Sequence, residues 1–386
     1  MLTREETAQL ASSSNAFAFD LYDRIRTTPG NLAVSPASIT SALAMTWGGA
    51  RGQTEAEMRK VLHLDGPPDA VMTAWGTLSR GLQDPGRPLK LRIANRLFGE
   101  QTVAFDAHYI ERTRAAFDAP LEPLDFKGAA DPARLHINAW VEKQTERRIQ
   151  DLLPTGAVQA LTRLVLVNAI YFLADWADPF DASSTMPMPF RTGSGPPKQT
   201  PTMHHGGTYR MASADGATIL EMPYRGGDAS MLFILPTRDD GLDAVERSLS
   251  SKRLEAWTSA LAPKSVLVAL PRFEVNPAGS LALAEALQEL GMRAAFDREK
   301  ADFTGIANPA DPRERIAIDQ VFHKAFVKVD EKGTEAAAAT AVAMFGGGAP
   351  PKMLDFRADH PFLFAIVDRG TGLVLFMGRV TDPTKP

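Results

Sequence analysis

The chain has 386 residues, of which 44% are hydrophobic and 23% charged, a balance typical of a folded globular protein with a sizeable core. Its formal net charge of -4 gives no reason to expect nucleic acid as a partner, and the absence of cysteine excludes disulfides and thiolate chemistry. No uncharged apolar run approaches the roughly 18 residues of a membrane helix, so no membrane partner is expected. The N-terminal segment is charged where an export signal has its apolar core, which predicts a cytoplasmic protein by default and an extracellular one if a signal was trimmed.

Helices are predicted mainly in the first half of the chain. Residues 7–26 repeat apolar side chains at helical spacing, which predicts an amphipathic first helix. Residues 31–49 combine a short apolar strand, a Ser-Pro turn and a helix that begins near Ser38 and ends at a glycine pair. Another helix is expected to open near Thr54, and residues 133–153 again place apolar side chains at helical spacing.

Strands dominate the second half. Apolar, β-branched runs predict strands at 164–172, 230–236, 265–275 and 323–329. The last segment contains two apolar runs joined by an Arg-Gly-Thr-Gly turn, which predicts a hairpin over 361–380. Helices followed by strands favour an α+β fold over alternating βαβ units. The stretch 183–202, rich in Pro, Gly, Ser and Thr, is a candidate domain linker, but an irregular connection inside one domain is favoured because strands flank it.

Candidate catalytic and metal-binding residues are few. His204 and His205 are adjacent, so they point to opposite faces of a strand, and a surface loop is favoured over a metal pair. Asp359 and His360 precede a proline and an apolar strand, which favours loop anchoring over a catalytic dyad. Asp302 is a lone acidic residue, for which capping a turn is as well supported as a catalytic role. The sequence contains no HExxH, GxSxG, P-loop or GxGxxG pattern. We therefore predict no enzymatic activity, no metal and no cofactor.

The stretch EKGTEAAAATAVAMFGGGAPP, residues 331–351, combines two conflicting tendencies. Its alanines favour a helix, whereas the glycine run 346–348 and the prolines after it cannot hold one. As a strand, every second residue from Thr334 to Met344 forms one face that is small at first and apolar further on. Small side chains suit a segment that slides between strands already in place, with Gly333 as a freely bending start. An exposed alanine helix with a glycine tail is the equally supported alternative.

A set of motifs in a fixed order resembles the serpin family over almost the whole chain. The segment EKGTEAAAAT is similar to the hinge signature of inhibitory serpins. The other similar segments are NLAVSPASITSALAMTWGGARGQTEAEM, INAWVEKQT, LVLVNAIYF, LEMPYRGGDASMLFILP, LPRF, LGMRAAFDREKADFTGI, VFHKAFVKVDEKGTEA and DFRADHPFLFAIVDRGTGLVLFMGRVTDP. The resemblance implies one α+β serpin domain over 1–386, with three β-sheets, about nine helices and an exposed reactive-centre loop over about 331–355. It further implies an inhibitory member, for which we expect a prokaryotic source.

The resemblance also implies roles for individual residues. The implied hinge residues are Glu331, Gly333, Thr334, Ala336, Ala337, Ala338 and Ala339. Arg272 and Trp176 match the top of the central sheet, called the breach, where Arg272 is expected to pair with Glu331 and has a bidentate option. The implied polar cluster beneath the sheet, called the shutter, consists of Ser35, Ser38, Asn168 and His323.

The implied function is that of a monomeric suicide-substrate inhibitor whose partner is a serine protease held as a covalent acyl complex. Counting from Glu331 places the reactive bond between Gly347 and Gly348, and counting back from Phe356 places it after Ala349. Small residues there suit elastase-like or subtilisin-like proteases, whereas Phe345, ranked third, suits a chymotrypsin-like one. Inhibition of a papain-like protease, or a non-inhibitory role as chaperone, carrier or storage protein, is the alternative.

Overall fold

The structure is a computed structural model, and it describes residues 2–193, 195–334 and 353–386. Nine α-helices lie within these ranges, with short 3₁₀ turns at Ala182–Ser184, Ala294–Phe296 and Pro312–Glu314. The helices are α1 (Arg4–Ile25), α2 (Pro36–Gly48), α3 (Gly52–Val61), α4 (Pro68–Leu82), α5 (Ala107–Phe117), α6 (Ala130–Gln144), α7 (Leu242–Arg247), α8 (Ser251–Ala260) and α9 (Ala284–Glu289).

Seventeen strands lie in the same described ranges, most of them after α6. They are β1 (Leu32–Val34), β2 (Lys90–Glu100), β3 (Leu121–Leu124), β4 (Leu164–Asp175), β5 (Met186–Phe190), β6 (Lys198–Ala214), β7 (Ala217–Pro223), β8 (Ala229–Pro236), β9 (Ala262–Pro271), β10 (Phe273–Val275), β11 (Leu281–Ala282), β12 (Phe322–His323), β13 (Val327–Val329), β14 (Gly333–Thr334), β15 (Leu354–Arg357), β16 (Phe362–Asp368) and β17 (Val374–Val380).

The strands form three sheets, so the α+β class and the expected numbers of sheets and helices are confirmed. A nine-stranded sheet has the order β1-β17-β16-β8-β7-β6-β9-β15, with β5 paired to β6. A six-stranded sheet, the central sheet below, has the order β10-β13-β14-β4-β2-β3, and β11 pairs with β12. Helix α2 is almost wholly buried and contacts both β4 and β17, so it lies in the core between the two large sheets.

Local sequence signals explain the helix starts. Thr3 and Glu6 form a reciprocal capping box at the start of α1, which satisfies two backbone N–H groups that no helical carbonyl can reach. The side chain of Ser35 caps α2 by accepting from the N–H of Ser38, and Pro36 occupies the first helical position, where its missing N–H costs nothing. The helix therefore begins at Pro36, two residues before the predicted start.

Several predicted boundaries were wrong because the apolar pattern continues where the backbone changes course. The helical run over 133–153 ends at Gln144, since Glu146 and Arg147 adopt left-handed φ angles of 49° and 66°. Ile149 and Leu152 are nevertheless buried, so the apolar spacing there reflects packing outside a helix. The stretch 183–202 is largely a hairpin, with β5 antiparallel to the start of β6, and is therefore neither a linker nor an irregular loop.

Two predicted strands are each divided between sheets. Residues 265–275 change sheets at Arg272, because β9 belongs to the nine-stranded sheet and β10 to the central one. Likewise 323–329 contributes β12 to the two-stranded sheet and β13 to the central sheet. A continuous run of alternating apolar residues does not encode such a change of partner. The change at Arg272 places this side chain at the border of two sheets, where the candidate site lies.

Candidate functional site

The candidate site is the top of the central sheet, where β14 lies between β4 and β13. Gly333 and Thr334 are level with Asp175 and Ala174 of β4, and Thr334 is also level with Val329 of β13. All three strands are antiparallel to their neighbours. The start of the hinge is thus already a strand of the sheet in the uncut chain.

Gly333 is required by close approach rather than by free bending, which corrects the sequence-based prediction. Its φ is outside the left-handed region, and a Cβ at this position would lie 2.1 Å from the carbonyl oxygen of Ala174. The same atom would lie 2.7 Å from the Cα of Asp175. Both contacts are to backbone, which cannot rotate away as a side chain can, so only glycine fits.

Glu331 is held at the end of the preceding turn by two side chains. Arg272 donates from Nε to Oε1 at 2.6 Å and also contacts that oxygen through Nη2, while Thr185 Oγ1 donates to the same atom at 2.5 Å. The pair is therefore present, but both guanidinium nitrogens meet one carboxylate oxygen, so it lacks the two-oxygen bidentate geometry. Burial disfavours the charged carboxylate, yet the hydrogen bonds from Arg272 and Thr185 outweigh it and lower the pKa of Glu331.

Trp176 binds the backbone of the turn 330–332. Its indole Nε1 donates to the carbonyl of Asp330 at 3.0 Å, and its backbone N–H donates to the carbonyl of Lys332 at 2.7 Å. The indole is fully buried and stacks on Tyr224 with ring centroids 4.7 Å apart. Trp176 and Arg272 thus both bind the turn 330–332, Trp176 through its backbone carbonyls and Arg272 through the Glu331 carboxylate.

Thr185 and Tyr224 belong to this site but were not singled out from the sequence. Tyr224 shares a hydrogen bond of 2.6 Å with the hydroxyl of Thr334. Both residues come from segments distant in sequence, so no local pattern marks them. The one signal for Tyr224 was its place within the motif LEMPYRGGDASMLFILP, directly after an apolar strand.

A second polar cluster lies deeper, where α2 meets the sheets. The backbone N–H of Ser35 donates to His323 Nε2 at 3.0 Å, and Ser35 Oγ donates to the carbonyl of Leu375 at 2.7 Å. Burial lowers the pKa of His323 to about 4, so its ring is neutral and accepts at Nε2. Ser38 is joined to the cluster through its N–H, which donates to Ser35 Oγ. Asn168 of β4 lies opposite Asn95 of β2, and its side chain is outside the described part of the structure.

The remaining loop residues lie outside the described residues. These are the hinge alanines Ala336, Ala337, Ala338 and Ala339 and the candidate bond positions Phe345, Gly347, Gly348 and Ala349. The chain is described again from Met353, which leads into β15. The contacts of the candidate site therefore involve the N-terminal end of the loop, residues 330–334.

The histidines considered as catalytic or metal-binding candidates lie in or next to strands and form local hydrogen bonds. His204 and His205 lie within β6 and not in a surface loop, and His205 Nδ1 contacts the hydroxyl of Tyr209 at 2.6 Å. His360 bonds Asp359 at 2.9 Å and the carbonyl of Pro236 at 2.8 Å, which anchors the chain before β16. Among the described residues no group of three His, Asp or Glu side chains is placed to hold a metal, and no helix there is long and apolar enough to cross a membrane.

Comparison with known proteins places these features in a family. A family model described as "Serpin (serine protease inhibitor)" matches residues 12–383. The leukocyte elastase inhibitor A of Rattus norvegicus is 38% identical, over 97% of this chain and 100% of its own length. An uncharacterized serpin-like protein of Thermococcus kodakarensis is 39% identical, over 99% of this chain and 88% of its own length. The structure of human thyroxine-binding globulin superposes with a TM-score of 0.88 and 29% identity, over 98% of this chain and 100% of that one.

Proposed function

The chain belongs to the serpin family, and on that premise we propose that it is a suicide-substrate inhibitor of serine proteases, formed by a single domain over 1–386. The observation that carries the proposal is that β14 already lies between β4 and β13. The family model and the rat relative are both named as inhibitors, which supports the proposal of protease inhibition. A prokaryotic source stays a prediction, since relatives of nearly equal identity come from an archaeon and from mammals.

In the proposed mechanism the catalytic residues belong to the target protease. Its serine attacks the reactive loop and forms an ester with the residue before the cut bond, and the residue after the bond becomes a free amino terminus. The new C-terminal piece stays in the nine-stranded sheet, because it contains β15, β16 and β17. The freed arm then continues β14 down the sheet and carries the acylated protease away from the loop's original site. Distortion of the protease's oxyanion hole and triad stops hydrolysis of the ester. This chain supplies the substrate loop and the sheet that receives it.

The register of β14 supports an arm that ends near residue 344. Gly333 is level with Asp175 and Thr334 with Ala174, so an antiparallel strand continued in this register brings residue 344 level with Leu164, the first residue of β4. Within the described residues, β4 and β13 are joined only through β14, which leaves this edge of β4 as the proposed receiving edge. Cleavage after Gly347 or Ala349 keeps the whole arm, and cleavage after Phe345 leaves one residue beyond it.

A cavity with both apolar and polar walls lies at the far end of the proposed path. It has a volume of about 110 Å³ and is lined by Ile39 and Leu43 of α2 and by 164–167 of β4. Thr334 faces the core through its bond to Tyr224, so alternate residues of a continued strand face the same way. Val342 and Met344 then fall on the core face beside this cavity, and their burial favours complete insertion by about 1.5–3 kcal/mol each.

The first test is the formation of a covalent adduct. Incubation with pancreatic elastase or subtilisin is expected to give an SDS-stable species near the summed masses of the two proteins. The variant Thr334→Arg places a charge at a fully buried hinge position, so we expect it to be cleaved without adduct. Thr73→Arg, at an exposed site on α4, is the matched control and should form the adduct normally. Complete cleavage of the wild-type chain by several serine proteases, with no adduct, would falsify the proposal.

A second candidate function is that of a carrier for a small amphipathic molecule. A groove of about 540 Å³ opens between α1, α8 and the strands β7, β8 and β16, with Leu232, Leu254, Arg210 and Arg369 in its lining. The similar human globulin is named for thyroxine, which makes thyroxine a reasonable probe. Equilibrium dialysis would measure its binding. Saturable binding together with no rise in thermal stability after loop cleavage would favour the carrier, whereas a large rise favours insertion.

A further inference from the structure

The side chain that meets Thr334, the second residue of β14, is Tyr224, which directly follows β7. Its hydroxyl lies 2.6 Å from the hydroxyl of Thr334, and both side chains are buried. The contact joins the central sheet to the nine-stranded sheet, because Thr334 belongs to the first and Tyr224 directly follows a strand of the second. The contact thus links the two large sheets through a pair of buried hydroxyl groups.

The phenol of Tyr224 is held rigidly in place. Its ring stacks on Trp176 with an interplanar angle of 5°, and Phe172 meets it edge-on at a centroid distance of 5.2 Å. Burial raises the pKa of Tyr224, so the group stays a neutral hydroxyl at all working pH values. A rigid ring with a fixed hydroxyl presents one defined hydrogen-bonding position at the entrance to the sheet.

Without Thr334 this hydroxyl has a poor alternative. Its other contact among the described residues is to the sulfur of Met231 at 3.6 Å, and a thioether is a weak acceptor. A buried hydroxyl without a good partner is unfavourable, so the state with the hinge outside the sheet is penalised. Thr334 supplies the missing partner whenever it enters.

We propose that Tyr224 is a positioning residue for loop insertion, which receives Thr334 and stabilises the first docked position of the hinge. This role rests on the proposed function, since it concerns the regulation of the same insertion step. Docking of Thr334 orients the chain along the edge of β4 before any bond is cut. The loop is therefore committed to the correct register within the first two residues that enter the sheet, Gly333 and Thr334.

Hydrogen exchange of the intact chain tests the contact without any protease. Tyr224→Phe and Thr334→Val each remove one hydroxyl while keeping the shape of the side chain. We expect each to speed exchange of the amides in a peptide covering 329–334 about tenfold. The double variant should show no more than this tenfold effect, because the same bond is lost and no unpartnered hydroxyl remains. Tyr209→Phe is the matched control, since it removes a hydroxyl with an equally short bond, to His205, away from the hinge.

Three results of this experiment would overturn the role of Tyr224. Unchanged exchange in both single variants would show that the bond does not stabilise docking. A roughly hundredfold effect in the double variant would show that the two side chains act independently through packing. An equal loss of protection in Tyr209→Phe would likewise assign the effect to general destabilisation.

Partitioning with elastase or subtilisin then connects docking to trapping. Tyr224→Phe should raise the proportion of cleaved, protease-free product several-fold over wild type, while the rate of loop cleavage stays near wild type. An unchanged proportion would refute a role in insertion even if docking is weakened. If the wild-type chain gives no adduct, the proposed inhibitory function fails, and hydrogen exchange still decides whether Tyr224 positions the hinge.

Discussion

Replacing Gly333 by alanine tests how closely the hinge is fitted into the sheet. The added methyl group would lie 2.1 Å from the Ala174 carbonyl oxygen and 2.7 Å from the Asp175 Cα, far inside contact distance. Both neighbours are backbone atoms of β4, so β4 must shift or the hinge must leave the sheet. The variant is expected to follow whichever route costs less.

The two routes set the magnitude. Forcing an extra methyl group into a packed site costs about 1–3 kcal/mol. Leaving the sheet costs the hydrogen bonds of β14 on both sides, at about 0.5–1.5 kcal/mol each, together with the bond between Thr334 and Tyr224. Accommodating the methyl group costs less free energy than moving the hinge out of the sheet. We therefore expect the free energy of unfolding of Gly333→Ala to fall by about 1–3 kcal/mol.

Urea denaturation at pH 7 measures this loss, and hydrogen exchange over 329–334 locates it. Gly279→Ala is the matched control, because no atom lies within 4 Å of its added methyl group. Its free energy of unfolding should change by no more than about 0.5 kcal/mol. If Gly333→Ala unfolds like the wild type and its hinge amides exchange at the wild-type rate, the close fit of the hinge against β4 is refuted.

Two further predictions concern buried titrating groups. The pKa of His323 is about 4 in the folded chain and 6.5 in the unfolded chain, so the unfolded chain binds a proton first as pH falls. The free energy of unfolding should therefore fall by about 3 kcal/mol between pH 7 and pH 4. Urea denaturation of His323→Gln should show a weaker pH dependence, whereas the control His108→Gln, at an exposed site, should keep that of the wild type. The pKa of Glu331 is lowered when folded, so its contribution is present above the unfolded pKa and is lost as pH falls. Arg272→Met should therefore cost about 1–3 kcal/mol at pH 7 and clearly less at pH 4 in urea denaturation, and a loss independent of pH would contradict an electrostatic role.

The elements that could be predicted from the sequence are those whose signals are local. The apolar period of α1, the continuous run of β8 and the Arg-Gly-Thr-Gly turn between β16 and β17 each depend on neighbours within a few residues. The division of 265–275 at Arg272 could not be predicted this way, because the choice of sheet is made by partners far along the chain. Gly333 shows the same limit, since its reason is the backbone of β4 and not its own flexibility.

The candidate site follows this division between local and distant information. Glu331, Gly333 and Thr334 are contiguous and stand out as a motif, so the resemblance identified them by number. Their partners Arg272, Thr185, Trp176 and Tyr224 come from separate segments, and only those within recognised motifs with assigned roles were named beforehand. The hydroxyl pair of Thr334 and Tyr224 could not be predicted, because neither residue type requires the other.

The contacts at the top of the sheet act in two opposing ways in the proposed inhibitor. The bonds to Glu331 and Thr334 stabilise the docked hinge, which favours rapid insertion once the loop is cut. The same bonds shorten the free part of the loop that a protease must accommodate, since β14 already uses two of its residues. A stronger hinge contact would therefore increase trapping per cleavage and reduce the rate of cleavage, whereas a weaker one would do the reverse. In the proposed inhibitor the summed docking energy of the hydroxyl pair, the ion pair and the bonds from Thr185 and Trp176 must therefore stay small enough for the loop to remain a substrate.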